Sequence, residues 1–167
     1  PYIKAKNNVL AVQVHKMSTA AFLEDQDFFR FFGIFRNVTL KAIPDVHVQD
    51  MWIKPTLNED NTSGAIRVDV KISAVKVGEK SAKFILADKS GNKLLCKDIA
   101  LEDTEGMVQG SMMAEVEKVI PWDNRSPYLY EAFIEVYENG QLAEVVFYRV
   151  GFRRLEIIDK VMYLNGK

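Results

Sequence analysis

Ala65-Ile66-Arg67-Val68-Asp69-Val70-Lys71-Ile72-Ser73-Ala74-Val75 sets Ile66, Val68, Val70 and Ile72 against Arg67, Asp69, Lys71 and Ser73. Successive side chains of a β-strand point to opposite faces, so this period of two predicts a strand with one apolar and one wet side. The pattern recurs outward from there. Tyr130–Tyr137 places Tyr130, Ala132, Ile134 and Val136 on one side, with Glu131 and Glu135 on the other beside Phe133 and Tyr137. Asn139-Gly140 follows, two residues that tolerate positive φ, and Leu142–Val150 returns as a valine- and aromatic-rich strand. Turns at Val77-Gly78-Glu79 and Ser90-Gly91-Asn92 bracket strands at Ser81–Ala87 and Lys93–Ala100, and Met112–Val119 supplies another. Glu102–Gly110, acidic and glycine-bearing, reads as an exposed loop. From Val46 onward this gives about seven strands, the number and spacing of an immunoglobulin-like sandwich. The fold class is all-β.

The first 43 residues read differently. Asn8–His15 and Val38–Ile43 are expected strands, and between them Phe28–Phe35 carries five phenylalanines and Ile34. Each such side chain stabilises a fold by roughly 1.5–3 kcal/mol when buried. Two strands and a linker cannot hide them all. The segment reads as part of a larger sheet, and as a source of self-association through unpaired edges and exposed phenylalanines.

Composition narrows the function classes. The 167 residues carry a formal net charge of −1, which gives no electrostatic pull toward nucleic acid or anionic lipid. No apolar run reaches the ~18 residues of a membrane-spanning helix. One cysteine allows no internal disulfide, so a soluble cytoplasmic or periplasmic protein is expected. The chain opens on Pro1-Tyr2-Ile3 and closes on Asn165-Gly166-Lys167, and both ends read as cut.

Templates for catalysis are missing. There is no glycine-rich phosphate loop, no His-Glu-x-x-His and no Cys-x-x-Cys. His15 and His47 read as ordinary strand residues, Cys96 in Leu94-Leu95-Cys96 as a buried inert thiol. Trp52 and Trp122 read as core or corner residues rather than as a sugar-stacking platform. Glu24-Asp25-Gln26-Asp27 is the one site candidate, because clustered carboxylates bind cations or hydroxyl-rich ligands; a solvated turn is the plainer reading. Adjacent acids on one loop do not suit glycoside hydrolysis, whose two carboxylates stand about 5–9.5 Å apart across the bond.

Five motifs in register resemble glycoside hydrolase family 2, specifically its bacterial β-galactosidases. They are Asn8-Val9-Leu10-Ala11-Val12-Gln13-Val14; Phe22-Leu23-Glu24-Asp25-Gln26-Asp27 with Gly33-Ile34-Phe35-Arg36-Asn37-Val38; Pro121-Trp122 with Ser126-Pro127-Tyr128-Leu129-Tyr130; Val150-Gly151-Phe152-Arg153; and Leu164-Asn165-Gly166-Lys167. The resemblance implies the end of a sugar-binding jelly roll over 1–43, an immunoglobulin-like sandwich over 44–152, and a strand over 153–167 that connects to a catalytic (β/α)8 barrel. It implies a parent that is a retaining glycosidase cleaving terminal β-linked galactose, with a module here that is non-catalytic and inactive alone. No catalytic residue is expected in this chain. Asp27 is the implied exception among binding residues: in the intact enzyme it would touch the galactoside and hold a monovalent cation, with Mg expected elsewhere in the parent. The implied partners are the barrel and the rest of the jelly roll in the same chain, and further copies in a homo-oligomer, with the loop over 102–112 near a neighbouring subunit. The competing readings are an independent carbohydrate-binding module, a surface adhesion domain, and the same module from a β-glucuronidase or β-mannosidase.

Overall fold

The structure is a computed structural model that describes residues 3–19, 23, 32–74, 78–104 and 107–167. The chain divides into two compact units, Pro1–Ala42 and Ile43–Lys167.

In the first unit the two expected strands do not form. Residues 8–15 and 38–43 are irregular, with Val9 92% and Leu40 97% exposed. A strand is held by hydrogen bonds to a neighbour, and among the described residues neither run pairs with another strand. Alternating apolar residues alone do not substitute for that neighbour.

The second unit is all-β, and among the described residues it has nine strands. They are β1 (Val46–Leu57), β2 (Gly64–Ala74), β3 (Lys80–Ala87), β4 (Lys93–Thr104), β5 (Met107–Val116), β6 (Tyr130–Glu138), β7 (Gln141–Val150), β8 (Leu155–Ile158) and β9 (Val161–Leu164). The first seven form one antiparallel sheet in the order β1-β2-β5-β4-β3-β6-β7, and β8 pairs with β9. The sheet folds over on itself because β4 changes partner partway along. Its first part pairs with β3 (Ala82↔Ile99 through Ala87↔Lys93), its last part with β5 (Ala100↔Ser111 through Thr104↔Met107). A strand that serves two layers makes the corner of a sandwich. The edge strands β1 and β7 meet at the seam, where the Val48 amide donates to Glu144 Oε2 at 2.6 Å. Pro55 lies on edge strand β1, where a missing N–H costs no ladder bond.

The period of two decides the core. Ile66, Val68, Val70 and Ile72 of β2 are buried, opposite Phe84 and Leu86 of β3 and Tyr130, Ala132, Ile134 and Val136 of β6. Asn139-Gly140 closes the β6–β7 hairpin with both residues at positive φ, 49° and 77°.

Four expectations are corrected. Glu102–Gly110 is largely strand: β4 runs to Thr104 and β5 starts at Met107. Gly110 is a packing glycine there, because a Cβ on it would meet Leu101 Cδ2 at 2.5 Å and the Ala100 carbonyl at 2.7 Å. Cys96 is exposed. The pleat turns its neighbour Leu95 toward the core, so Cys96 faces outward opposite Ile85. Trp52 is 64% exposed on β1 and belongs to no core. Residues 153–167 are not one strand but fold back as the β8–β9 hairpin, turning at Asp159 and Lys160, both with positive φ.

Candidate functional site

Asp27, with the acidic run 24–27 around it, lies outside the described residues. What the described residues do bring together is the three later motifs, far apart in sequence, at the end of the sandwich where the chain leaves β7.

Phe152 is the anchor. It follows Val150, the last residue of β7, and is fully buried, its ring edge-on to Tyr130 with centroids 5.4 Å apart and planes at 87°. Tyr130 opens β6, and its phenol oxygen accepts the Ile120 N–H at 2.7 Å, ten residues upstream. This is a tyrosine corner, the device that ties the strand start of an immunoglobulin-like sandwich to the preceding connection. Burial pushes the Tyr130 hydroxyl above its ordinary pKa, against the opposing effect of the Ile120 amide, so the phenol stays neutral.

Two glycines make room. A Cβ on Gly64 would sit 2.5 Å from the Phe152 ring and 2.6 Å from the Thr56 carbonyl. One on Gly151 would lie 2.9 Å from Trp122 Cβ. Trp122 thus packs directly on backbone, its amide donating to the Phe152 carbonyl at 2.8 Å, with the Arg153 guanidinium 5.0 Å over its ring. The reading of Trp122 as a corner residue fits this placement.

Asn165 and Arg154 then lock the exit hairpin onto the corner. Asn165 is buried. Its Oδ1 accepts the Arg154 N–H at 2.9 Å, its Nδ2 donates to the Trp122 carbonyl at 3.0 Å, and its own amide donates to the Arg154 carbonyl at 2.8 Å. Asn165 and Gly166 both have positive φ, which lets Leu164 and Lys167 exchange hydrogen bonds at 2.9 and 3.1 Å. Arg154 spreads its guanidinium across the joint, with Nη1 on the Asn58 carbonyl at 2.6 Å and Nε on Glu156 Oε2 at 2.8 Å. The sequence reading singled out Asn165 as part of a motif but missed Arg154. Its one available signal was an arginine directly after Val150-Gly151-Phe152-Arg153.

The acids nearby are fastened as turn caps. Asp60 accepts the Thr62 and Ser63 amides at 2.9 and 3.0 Å and the Ser63 hydroxyl at 2.9 Å, and these bonds lower its pKa from 3.8 to about 2. Asp123 accepts the Ser126 and Arg125 amides, each at 2.7 Å, and is held below the usual carboxylate range by them. A general acid at neutral pH needs the opposite shift. Among the described residues no group of three or more His, Cys, Asp and Glu could hold a metal ion. No helix of the described residues is long and apolar enough to cross a membrane. The arrangement ties the β8–β9 hairpin to the end of the sandwich through Asn165 and Arg154.

Comparison with known proteins places these features. The sequence model of glycosyl hydrolases family 2 matches residues 46–153, and that of the family's sugar binding domain matches residues 1–44. The β-galactosidase large subunits of Lactobacillus acidophilus and Lactobacillus helveticus are 42% and 44% identical over 99% and 100% of this chain. The β-galactosidase of Streptococcus thermophilus is 42% identical over 99% of it. The chain spans 26% of the length of each large subunit and 16% of the Streptococcus protein. Among solved structures, β-glucuronidase 3 of Bacteroides uniformis superposes with a TM-score of 0.67 at 24% identity, covering 86% of this chain and 17% of that one. A family 2 member from Bacteroides cellulosilyticus gives 0.67 at 17% identity, covering 75% and 18%. At such identities the superpositions speak for the fold alone.

Proposed function

The chain belongs to glycosyl hydrolases family 2, and from that premise we propose that it is the non-catalytic positioning module of a β-galactosidase. Its parent removes terminal β-linked galactose with retention of configuration, using a catalytic barrel beyond this chain. The module fixes where the sugar-binding domain stands relative to that barrel. The observation that carries this reading is the joint: Phe152, Trp122, Arg154 and Asn165 fasten the β8–β9 hairpin to the end of the sandwich. Such a joint matters for rate, because misplacing reacting groups by about 1 Å costs up to roughly a hundredfold. Galactose rather than glucuronic acid is supported by the 42–44% identity to β-galactosidases across essentially the whole chain. Asp27 is proposed as a carboxylate that, in the intact enzyme, faces the sugar and a monovalent cation.

The test is Arg154→Ala in the full-length parent, assayed on a chromogenic β-galactoside. A fall in kcat/KM with the barrel still folded is expected. Unchanged kcat/KM, or turnover by the purified 167-residue chain alone, would end the proposal.

A further inference from the structure

The outer face of β1, β2, β5 and β4 carries an open groove of about 460 Å³ that the joint does not use. Register builds its floor from two straight rows of side chains. One row runs Trp52, Asp69, Ser111, Ala100, the other Asp50, Lys71, Gln109, Glu102. Ser111 and Ala100 are small, which lowers the floor beside the Trp52 ring. Neighbouring strands lie about 4.8 Å apart, so each row is roughly 14 Å long.

One face of the Trp52 ring is covered by Lys54. The Lys54 ammonium stands 3.2 Å from its ring centroid and also bonds Asp69 Oδ2 at 3.2 Å, while Arg67 Nη2 holds Asp69 Oδ1 at 3.0 Å. The indole borders the groove and keeps most of its surface in water. Among the described residues, the side chains of Asp50, Lys71, Glu102, Gln109 and Ser111 form no hydrogen bond or ion pair. They offer two carboxylates, one ammonium, one amide and one hydroxyl: donors and acceptors together, with one negative charge in excess.

That mixture selects a ligand class. An apolar molecule would leave the polar groups unpaired. A phosphate or nucleic acid would meet Asp50, Asp69 and Glu102. A neutral saccharide fits both parts, its C–H face against the indole face that Lys54 leaves open and its hydroxyls among the amide, hydroxyl and carboxylates. We propose that the groove bordered by Trp52 is a saccharide-binding site. Asp50 and Glu102 stand at opposite ends of a row roughly 14 Å long, beyond the 9.5 Å or so across which paired carboxylates hydrolyse a glycosidic bond, and the third carboxylate, Asp69, is engaged in ion pairs with Lys54 and Arg67. The site holds a short glycan and does not cut it. The inference is independent of the galactosidase reading, since any neutral glycan satisfies the same groups.

The experiment is nitrogen–proton NMR of the 167-residue chain titrated with millimolar lactose, β-1,4-galactotriose and cellotriose. A saturable shift of the Trp52 indole N–H, together with the Lys71, Gln109 and Ser111 amides, is expected for at least one of them. Trp52→Ala should weaken that binding about tenfold or more, and Gln109→Ala, at a second exposed floor position, should weaken it as well. No response at Trp52 to any of the three sugars would overturn the proposal, as would undiminished binding by Trp52→Ala. A shift of the same signals on dilution of residues 43–167 without sugar would mark the face as a contact between copies, and overturn it equally.

Discussion

Asp60 shows how a single side chain couples pH to this fold. Its carboxylate accepts the Thr62 and Ser63 amides, and its pKa falls from 3.8 to about 2. A carboxyl depressed on folding stabilises the native state above its unfolded pKa, and that contribution is lost as pH falls through the folded value. The window is therefore from about pH 4 down to about pH 2. Asp60→Asn should lower the melting temperature at pH 7 and remove part of the decline between those limits, read by calorimetry across pH. Asn165 is the stiffer case. Replaced by alanine, it would leave the Trp122 carbonyl and the Arg154 amide without partners in a part-buried site, and would put at φ 55° a residue without the polar side chain that eases the left-handed region. A loss of about 2–3 kcal/mol is expected from urea unfolding. Amide exchange at residues 155–164 should speed up well before exchange in β2 and β6 does.

At the level of elements, β4 is the decisive strand, because it belongs to both layers. Its hold on β5 depends on Gly110, which sits against Leu101, Ala100 and Ile99. The nearest backbone atom to an added Cβ is the Ala100 carbonyl, which cannot swing aside as a side chain tip can. Gly110→Ala should therefore destabilise by about 1–3 kcal/mol, measured by chemical denaturation, and disturb the Ala100–Thr104 pairing selectively. The same crowding explains why Glu102–Gly110 misleads as a sequence. Glycine and acid signal a loop when nothing else is known, whereas here the glycine serves close packing and Glu102 lies on the wet side of β4, opposite Gln109. Trp52 misleads in the same way, because an indole on an edge strand fits a core, a corner or a ligand groove equally well by residue type.

For the molecule as a whole, the two units have unequal means of support. The second has a closed core with Ile66, Phe84 and Ile134 fully buried, whereas the first leaves Val9, Leu10, Phe35 and Leu40 exposed. Residues 43–167 should thus fold alone, with a cooperative thermal transition close to that of the whole chain. The whole chain should self-associate through its first unit, and light scattering should show that association disappear when residues 1–42 are removed. A whole chain that scatters as a clean monomer would contradict this. By itself the sequence determined β2, β3, β6 and β7, the direction in which β2 and β6 face, the Asn139-Gly140 hairpin and the family. All of these rest on local periodicity, on turn residues that tolerate positive φ, or on short motifs. The tertiary structure alone decided that Cys96 and Trp52 face water, that β4 joins two layers, and that Trp122, Arg154 and Asn165 meet at one corner. Those outcomes depend on which strand lies alongside which, and contacts of that kind are set by the packing of the whole sheet rather than by the order of residues along any one stretch.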